Sequence, residues 1–552
     1  MTRIPPPATV DTLRGEPSRA GEGGVKPTGW AVWILLASAA LLGVAVPLVL
    51  ATVSGGLAIP HNDAWSYGRI AQTFGYSGHI ELLGWNRSAL FGQFVVLGPL
   101  ARSLVAQHLF VAALSVVALA AVYDLVVTTA GRVRASLAVL IVAVWPGFGL
   151  LATSFMLDVP AMAAIMVCLA VGRRALRGQS IPLLVASIGV GFWGFTIREQ
   201  ALAAPAAVLL VGITFALRSH RRRDVITIGC VGAVLGLAMV GFELGRQSYG
   251  AGDPPVIAVP ENLIRVGGTV LAQGYFLLAL VVSPALLLVA RPWRWGRVPL
   301  LAAVVTAAVA VVAVDYFGRR AFFVGNYLDP AGPYWAAGNS RPAEIFPISS
   351  WTLVVSLACI SAVLLAGILV QRARSTDPVL GIFVTLVVLG NLASALSGQT
   401  LYDRYWLLAV PPLLAMVLAK RPADSVAQVR GSQLIIRRVA VGAVLAVLAA
   451  FSTAITAAGF AYDGARWDAA EALVAAGVPA TDINAGLEWN GFHSAVGMSP
   501  PGSWKFPGNR SCYLVAAAPQ PDREADSVRT YRPFLIAGEA HLWVYDEGCP
   551  PA

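Results

Sequence analysis

Between Gly55 and Gln93 an otherwise charge-poor chain gathers His61, Asn62, Asp63, Trp65, Tyr67, Glu81 and Arg87, directly after an apolar run. A carboxylate such as Asp63 can take a proton from a hydroxyl. It can equally cap a helix, and Asn62-Asp63 is good capping chemistry. Three more charges stand at the mouths of apolar runs: Asp158 in "LDVPAM", Arg198 in "FTIREQAL" and Arg404 in "LYDRYWLL". A guanidinium in such a place suits phosphate, to which it gives two parallel hydrogen bonds. It also suits plain snorkelling from a span end. Glu199 offers Arg198 a local partner, and Asp158 before Val-Pro reads as an ordinary helix start. Trp65 and Tyr67 have the chemistry of an interfacial aromatic belt.

The elements that must hold these residues are membrane spans. The 552 residues are 57% hydrophobic and only 12% charged, whereas a soluble domain carries about 25% charged residues. The formal net charge of +10 is carried by short basic clusters between apolar runs. That is the pattern of cytoplasmic loops, not of a nucleic-acid surface. Residues 1–29 are polar and rich in Pro and Gly, and read as a disordered cytoplasmic tail. Trp30–Val53 is long enough to span, since a span needs about 20 residues. Further runs lie near Leu104–Thr129, Leu137–Phe155, Val159–Val171, Ile181–Phe195, Ala201–Leu217, Val225–Leu244, Thr269–Ala290, Val298–Val314, Trp351–Val370, Val379–Leu396, Tyr405–Leu418 and Val439–Phe460. The expected fold is therefore a polytopic α-helical membrane protein of about 13 transmembrane helices.

Putting the N-terminus inside places these basic clusters inside: Arg132 and Arg134, Arg173 to Arg177, Arg218 to Arg223, Arg291 to Arg297, Arg372 and Arg374, and Lys420, Arg421, Arg430, Arg437 and Arg438. The positive-inside rule requires this alternation. The first loop (54–103), Asp158, Arg198, the Asp315–Ser349 loop, Arg404 and the C-terminal tail then fall outside. In the first loop, "DAWSYGRIAQTFGYSG" and "LGWNRSALFGQFVVLGPLARSL" each read as a helix lying flat at the membrane surface.

The chain divides into this tail, a membrane domain over 30–461, and an extracytoplasmic α/β domain over 462–552. "ARWDAAEALVAAGV" has helical spacing, while "CYLVAAAP" and "FLIAGEAHLWVYDE" read as strands, the second turning about Gly538. Cys168, Cys230 and Cys359 fall within spans and read as small buried hydrophobes. Cys512 and Cys549 both lie in the tail, where an oxidising compartment favours their pairing.

Several stretches, in order, resemble the GT-C membrane glycosyltransferases, in the branch that holds protein O-mannosyltransferases and lipid A aminoarabinose transferase (glycosyltransferase family 39-like). "HNDAWSYGRIAQTFGYSG" is similar to that family's first-loop motif and "WNRSALFGQ" to its second surface helix. "TSFMLDVPAMAAIM" resembles its turn between the third and fourth spans, and "YDRYWLLAVPPLL" a late Arg-Tyr-Leu-Leu-Pro-type segment. The likeness runs from Trp30 to about Leu418 and is strongest up to Leu217; the tail's "DINAGLEWNGFHS" is a fainter match.

The resemblance implies transfer of a sugar from a polyprenyl-phosphate donor to a hydroxyl of an extracytoplasmic glycan, lipid or protein. It implies Asp63 as general base, Arg404 and Arg198 on the donor phosphate, and His61, Asn62, Tyr67, Arg87 and Asp158 as substrate contacts. A lipid phosphate is already a good leaving group and needs cationic donors, not an acid. One base without a second, nucleophilic carboxylate implies inversion. No cofactor is firmly implied. A divalent cation between Asp63 and Asp158 stays open, although hard cations want several oxygen ligands. Two other classes share parts of the pattern: a secondary transporter, whose ionisable residues would sit nearer the midplane, and a lipid-linked oligosaccharide polymerase or ligase. A non-catalytic membrane scaffold with a glycan-binding outer domain is a third.

Overall fold

The computed structural model describes residues 29–85, 89–249, 259–333, 339–420, 431–500, 503, 505–533 and 538–549. The expected N-terminal tail and Arg87 lie outside these residues. The protein is a helical membrane bundle with a small α/β unit at its C-terminal end. Ten helices among the described residues are long and apolar enough to cross a membrane. Ile181–Ile197 is apolar but shorter.

Proline shapes the remaining apolar runs. The run expected over Leu137–Phe155 is split into helices Arg132–Ala143 and Phe148–Ala152 around Pro146. Proline lacks the amide donor and pushes the preceding residue out of the helical region. The run at Tyr405–Leu418 begins as a 3-10 segment, Asp403–Ala409, and turns α-helical at Val410, where Pro411 stands in the first turn and needs no donor. Pro284 similarly starts a short helix, Ser283–Val289, beyond Leu263–Val281.

In the first loop, helix Ala64–Ser77 forms where expected. The second surface helix is shorter than the sequence pattern suggests: it spans Phe91–Leu97 and passes into a 3-10 turn, Gly98–Arg102. Trp65 and Tyr67, at the start of Ala64–Ser77, are buried in protein. Trp65 is fully buried and meets Phe506 edge-on at 5.7 Å, and Gly491 lies flat against its ring. This corrects the reading of Trp65 as a membrane-belt residue. Protein packing and lipid interface ask for the same amphipathic ring.

The last long helix, Gly431–Ala475, runs 45 residues without a break. The amphipathic segment starting at Ala465 is thus its far end, and the expected 461/462 division falls inside one helix. A four-stranded sheet follows, ordered β1 (Ile483–Asn484), β2 (Tyr513–Ala516), β4 (Ala540–Asp546), β3 (Ser527–Tyr531). β1 runs parallel to β2; β2–β4 and β3–β4 are antiparallel, with Val515 opposite Val544 and Arg529 opposite Leu542. The partner of β4 in its hairpin is therefore Ser527–Tyr531; residues 534–537, expected to begin a strand, lie outside the described residues. Trp467, Ile483, Trp489, Val515, Leu542 and Val544 form the unit's core. The Cys512–Cys549 disulfide forms as expected and ties the start of β2 to the end of β4.

Candidate active site

Asp63 occupies the residue before helix Ala64–Ser77, but its side chain makes no capping bond. Its Oδ2 accepts from Arg404 Nη2 at 2.7 Å, and its Oδ1 accepts from Trp85 Nε1 at 3.1 Å. The simple N-cap reading is thereby set aside. Asn62, just before it, holds a left-handed backbone (φ 53°), which Asn tolerates better than most side chains. That turn aims the Asp63 carboxylate back across the bundle.

Arg404 is positioned by its sequence neighbour. The Asp403 carboxylate does not pair with the guanidinium. It accepts backbone bonds from Tyr327 (2.8 Å), Leu328 (2.7 Å) and Arg404 itself (2.7 Å). Asp403 thus pins the long Asp315–Ser349 loop to the segment that carries Arg404. From this loop Asn326 Oδ1 accepts from both Asn62 Nδ2 and Arg404 Nη1, each at 3.4 Å.

Asp158 is the first residue of helix Asp158–Gly178, and Arg198 ends Ile181–Ile197. Arg198 Nη1 donates to Asp158 Oδ1 in a close ion pair. Glu199 turns away and pairs with Arg246 at 3.6 Å, so the sequence neighbour is not Arg198's partner. Asp158 Oδ2 faces Arg404 Nε at 3.9 Å, and neither atom has a hydrogen-bond partner among the described residues. Arg404 therefore bridges the two carboxylates. Asp63, Asp158, Arg198 and Arg404 are between 3% and 8% exposed. Two carboxylates against two guanidiniums leave the cluster formally neutral, which is how charges persist away from water.

Tyrosines line the cluster. The Arg198 guanidinium lies over the Tyr405 ring at 4.6 Å, and Arg404 lies 4.9 Å from Tyr402 and 5.5 Å from Tyr405. Tyr67 is buried beside them; burial, and then the Asp63 charge, push its hydroxyl well above the usual phenol range. It stays a neutral donor. Beyond Trp406 an apolar cleft of about 420 Å³ opens, lined by Leu271, Tyr275, Leu278, Val309 and Val388.

His61 is engaged elsewhere. It is fully buried, its Nδ1 lies 2.6 Å from Asp463 Oδ2, and its Nε2 lies 2.9 Å from the Gly56 carbonyl. The structure thus brings Asp63, Asn62, Tyr67, Asp158, Arg198 and Arg404 together, and holds His61 in a neighbouring network. Trp85, Asn326, Tyr402 and Tyr405 escaped sequence reasoning as individual residues. All four lie in stretches whose polar and aromatic character is visible in the sequence, but nothing there singles out these positions.

The donor set does not fit a resident divalent cation. Asp63 and Asp158 each face an arginine, and hard cations take six or more oxygens. The cluster of three ligand-type residues found among the described residues is Asp482 with Cys512 and Cys549, and those two sulfurs are bonded to each other.

Fold and cluster together define a polytopic helical membrane protein with a buried, charge-compensated site beneath a small α/β unit. Among solved structures, the chain is similar to the crystal structure of ArnT from Cupriavidus metallidurans bound to undecaprenyl phosphate. It is 15% identical, the match covers 84% of this chain and 85% of that chain, and the TM-score is 0.43. It is also similar to ArnT from Cupriavidus metallidurans in the apo state, at 15% identity, with 72% and 79% covered and a TM-score of 0.32. No family model matches the chain, and no curated protein matches it.

Proposed function

We propose that this chain is an inverting glycosyltransferase that moves a sugar from a polyprenyl-phosphate donor to a hydroxyl of an extracytoplasmic acceptor, with Asp63 as general base. The observation that carries the reading is the 2.7 Å contact between Asp63 and Arg404 inside a buried, neutral cluster. One guanidinium there touches a carboxylate through Nη2 and, among the described residues, keeps its Nε–H without a hydrogen-bond partner.

In this reading the acceptor hydroxyl gives its proton to Asp63 as its oxygen attacks the anomeric carbon. The bond from that carbon to the phosphate oxygen breaks on the opposite face. The departing lipid phosphate gains negative charge, which Arg404 and Arg198 stabilise in a water-poor site where such contacts are strong. Asp158 orients Arg198 and keeps its Oδ2 for a sugar hydroxyl. The cleft beside Trp406 is apolar and suits an isoprenoid chain. The N-terminus is assigned to the cytoplasm and the 462–552 unit to the outer side, on the distribution of arginines.

The test is transfer of label from a panel of radiolabelled polyprenyl-phosphate pentoses and hexoses, in membranes holding wild type or Asp63→Asn. Asn keeps the shape and removes the base. Transfer by wild type and a loss of 10²–10⁴-fold in the variant is the expected outcome. Equal transfer by both moves the base elsewhere. A wild type that turns over no donor favours a transporter, or a polymerase or ligase of larger lipid-linked units.

A further inference from the structure

The His61-Asn62-Asp63 turn does not rest on the membrane bundle alone. Its polar groups are bonded to the C-terminal end of the chain. The Asn62 backbone N–H donates to Glu488 Oε1 at 3.1 Å across 426 residues of sequence. Arg466 Nη2 donates to Glu488 Oε2 at 2.9 Å and to Asp463 Oδ1 at 3.0 Å. Asp463 Oδ2 meets His61 Nδ1 at 2.6 Å. All four side chains are at most 1% exposed.

Two features make this more than a structural weld. The turn it holds is left-handed at Asn62, a conformation that needs support from its surroundings. The supporting bond also falls on the residue directly before Asp63. Two further contacts fix the flanks of the same loop: Arg69 Nη1 donates to the carbonyls of Gly491 (2.8 Å) and Ser494 (2.6 Å), and the Met498 N–H donates to the Leu83 carbonyl at 3.1 Å.

We propose that Glu488 is a positioning residue for Asp63, acting through the Asn62 amide, and that the C-terminal unit is for that reason a working part of the site. The proposal rests on the reading of Asp63 as the base. Glu488 touches no reacting atom. Its effect is to keep the Asp63 carboxylate within reach of the acceptor proton, where a displacement of about 1 Å costs on the order of 10²-fold in rate.

The experiment compares full-length wild type, Glu488→Ala and Glu488→Gln in detergent micelles by two readouts. Gln retains a carbonyl oxygen for the Asn62 amide; its NH2 then gives up the bond from Arg466 Nη2, which keeps Asp463 Oδ1. The first readout is amide hydrogen exchange of the Ile59–Tyr67 peptide, which needs no donor. Exchange there rises in the Ala variant and stays close to wild type in the Gln variant, while peptides from β2 and β4 are unchanged. The second is steady-state transfer from the panel donor that wild type uses. There kcat falls by about 10–100-fold in the Ala variant with the donor KM unchanged within about twofold, and Gln restores most of it. Unaltered exchange at Ile59–Tyr67 in Glu488→Ala overturns the proposal. So does exchange that rises equally across β2 and β4, or a KM that rises with the fall in kcat, because each marks a merely structural residue. If Asp63→Asn transfers at the wild-type rate, the base reading fails and the positioning role fails with it. The exchange result still reports separately whether Glu488 holds the turn.

Discussion

Asp63 and Arg404 stand 341 residues apart in sequence and meet at 2.7 Å. The contact joins the first loop to the late Asp403–Ala409 turn. It sets a buried carboxylate against a buried guanidinium, and several consequences can be measured.

Arg404→Lys keeps the charge but loses the planar fork. A single ammonium cannot hold Asp63, meet Asn326 and keep a donor toward Asp158 at once. Transfer should fall by about 10²-fold or more, and raising the donor concentration should not restore it. Arg404→Ala leaves Asp63 buried without its cation and should cost about 3–5 kcal/mol of stability. Thermal melting in detergent separates the two effects.

Asp158→Asn removes the charge that faces Arg198 and keeps the side chain's size. Arg198 then remains buried beside Tyr405 without its carboxylate. A loss of about 1–3 kcal/mol is expected, together with a higher donor KM, because Arg198 is no longer held in one orientation. Equal KM in wild type and variant would remove Arg198 from the donor site.

Gly491→Ala tests the packing of the first loop on the C-terminal unit. A Cβ there would stand 2.4 Å from the Trp65 ring. Trp65 is fully buried and has no room to retreat. Overpacking of this kind costs about 1–3 kcal/mol, read as a lowered melting temperature. A double variant with Trp65→Leu should recover part of it.

His493 gives a pH dependence. It packs on Trp489 at 4.2 Å between ring centroids, and burial, then the nearby Arg69 charge, lower its imidazole to about 4. The unfolded chain takes up this proton near 6.5. The neutral ring's contribution is therefore present above pH 6.5 and is lost as pH falls through 4. His493→Gln should flatten the decline in melting temperature between pH 6.5 and 4, and leave the value at pH 8 less affected than the slope.

The sequence made the spans legible because apolar length is a strong signal, and it placed Asp63, Asp158, Arg198 and Arg404 at span mouths. The structure brings these four together from distant positions. The breaks at Pro146 and Pro284 were visible in principle but lay inside apolar runs. The Glu488 network was not legible. "ARWDAAEALVAAGV" shows only helical spacing, and nothing local shows that Asp463, Arg466 and Glu488 meet His61 and Asn62. Trp65 shows a related limit: one ring serves a lipid surface and a protein interface equally well.

The unbroken Gly431–Ala475 helix has a geometric consequence. At 1.5 Å per residue it is about 68 Å long, more than twice the roughly 30 Å hydrocarbon core. Asp463 and Arg466 ride on it near its far end, so the angular phase of this rod sets where their side chains point. Inserting one residue midway would turn that end by about 100° and lift it by about 1.5 Å, carrying Asp463 away from His61. Insertions of seven residues, near two full turns, would keep the phase but raise the end by about 10 Å. The rod therefore tolerates neither kind of length change: its length and its phase together fix where Asp463 and Arg466 meet His61 and Glu488.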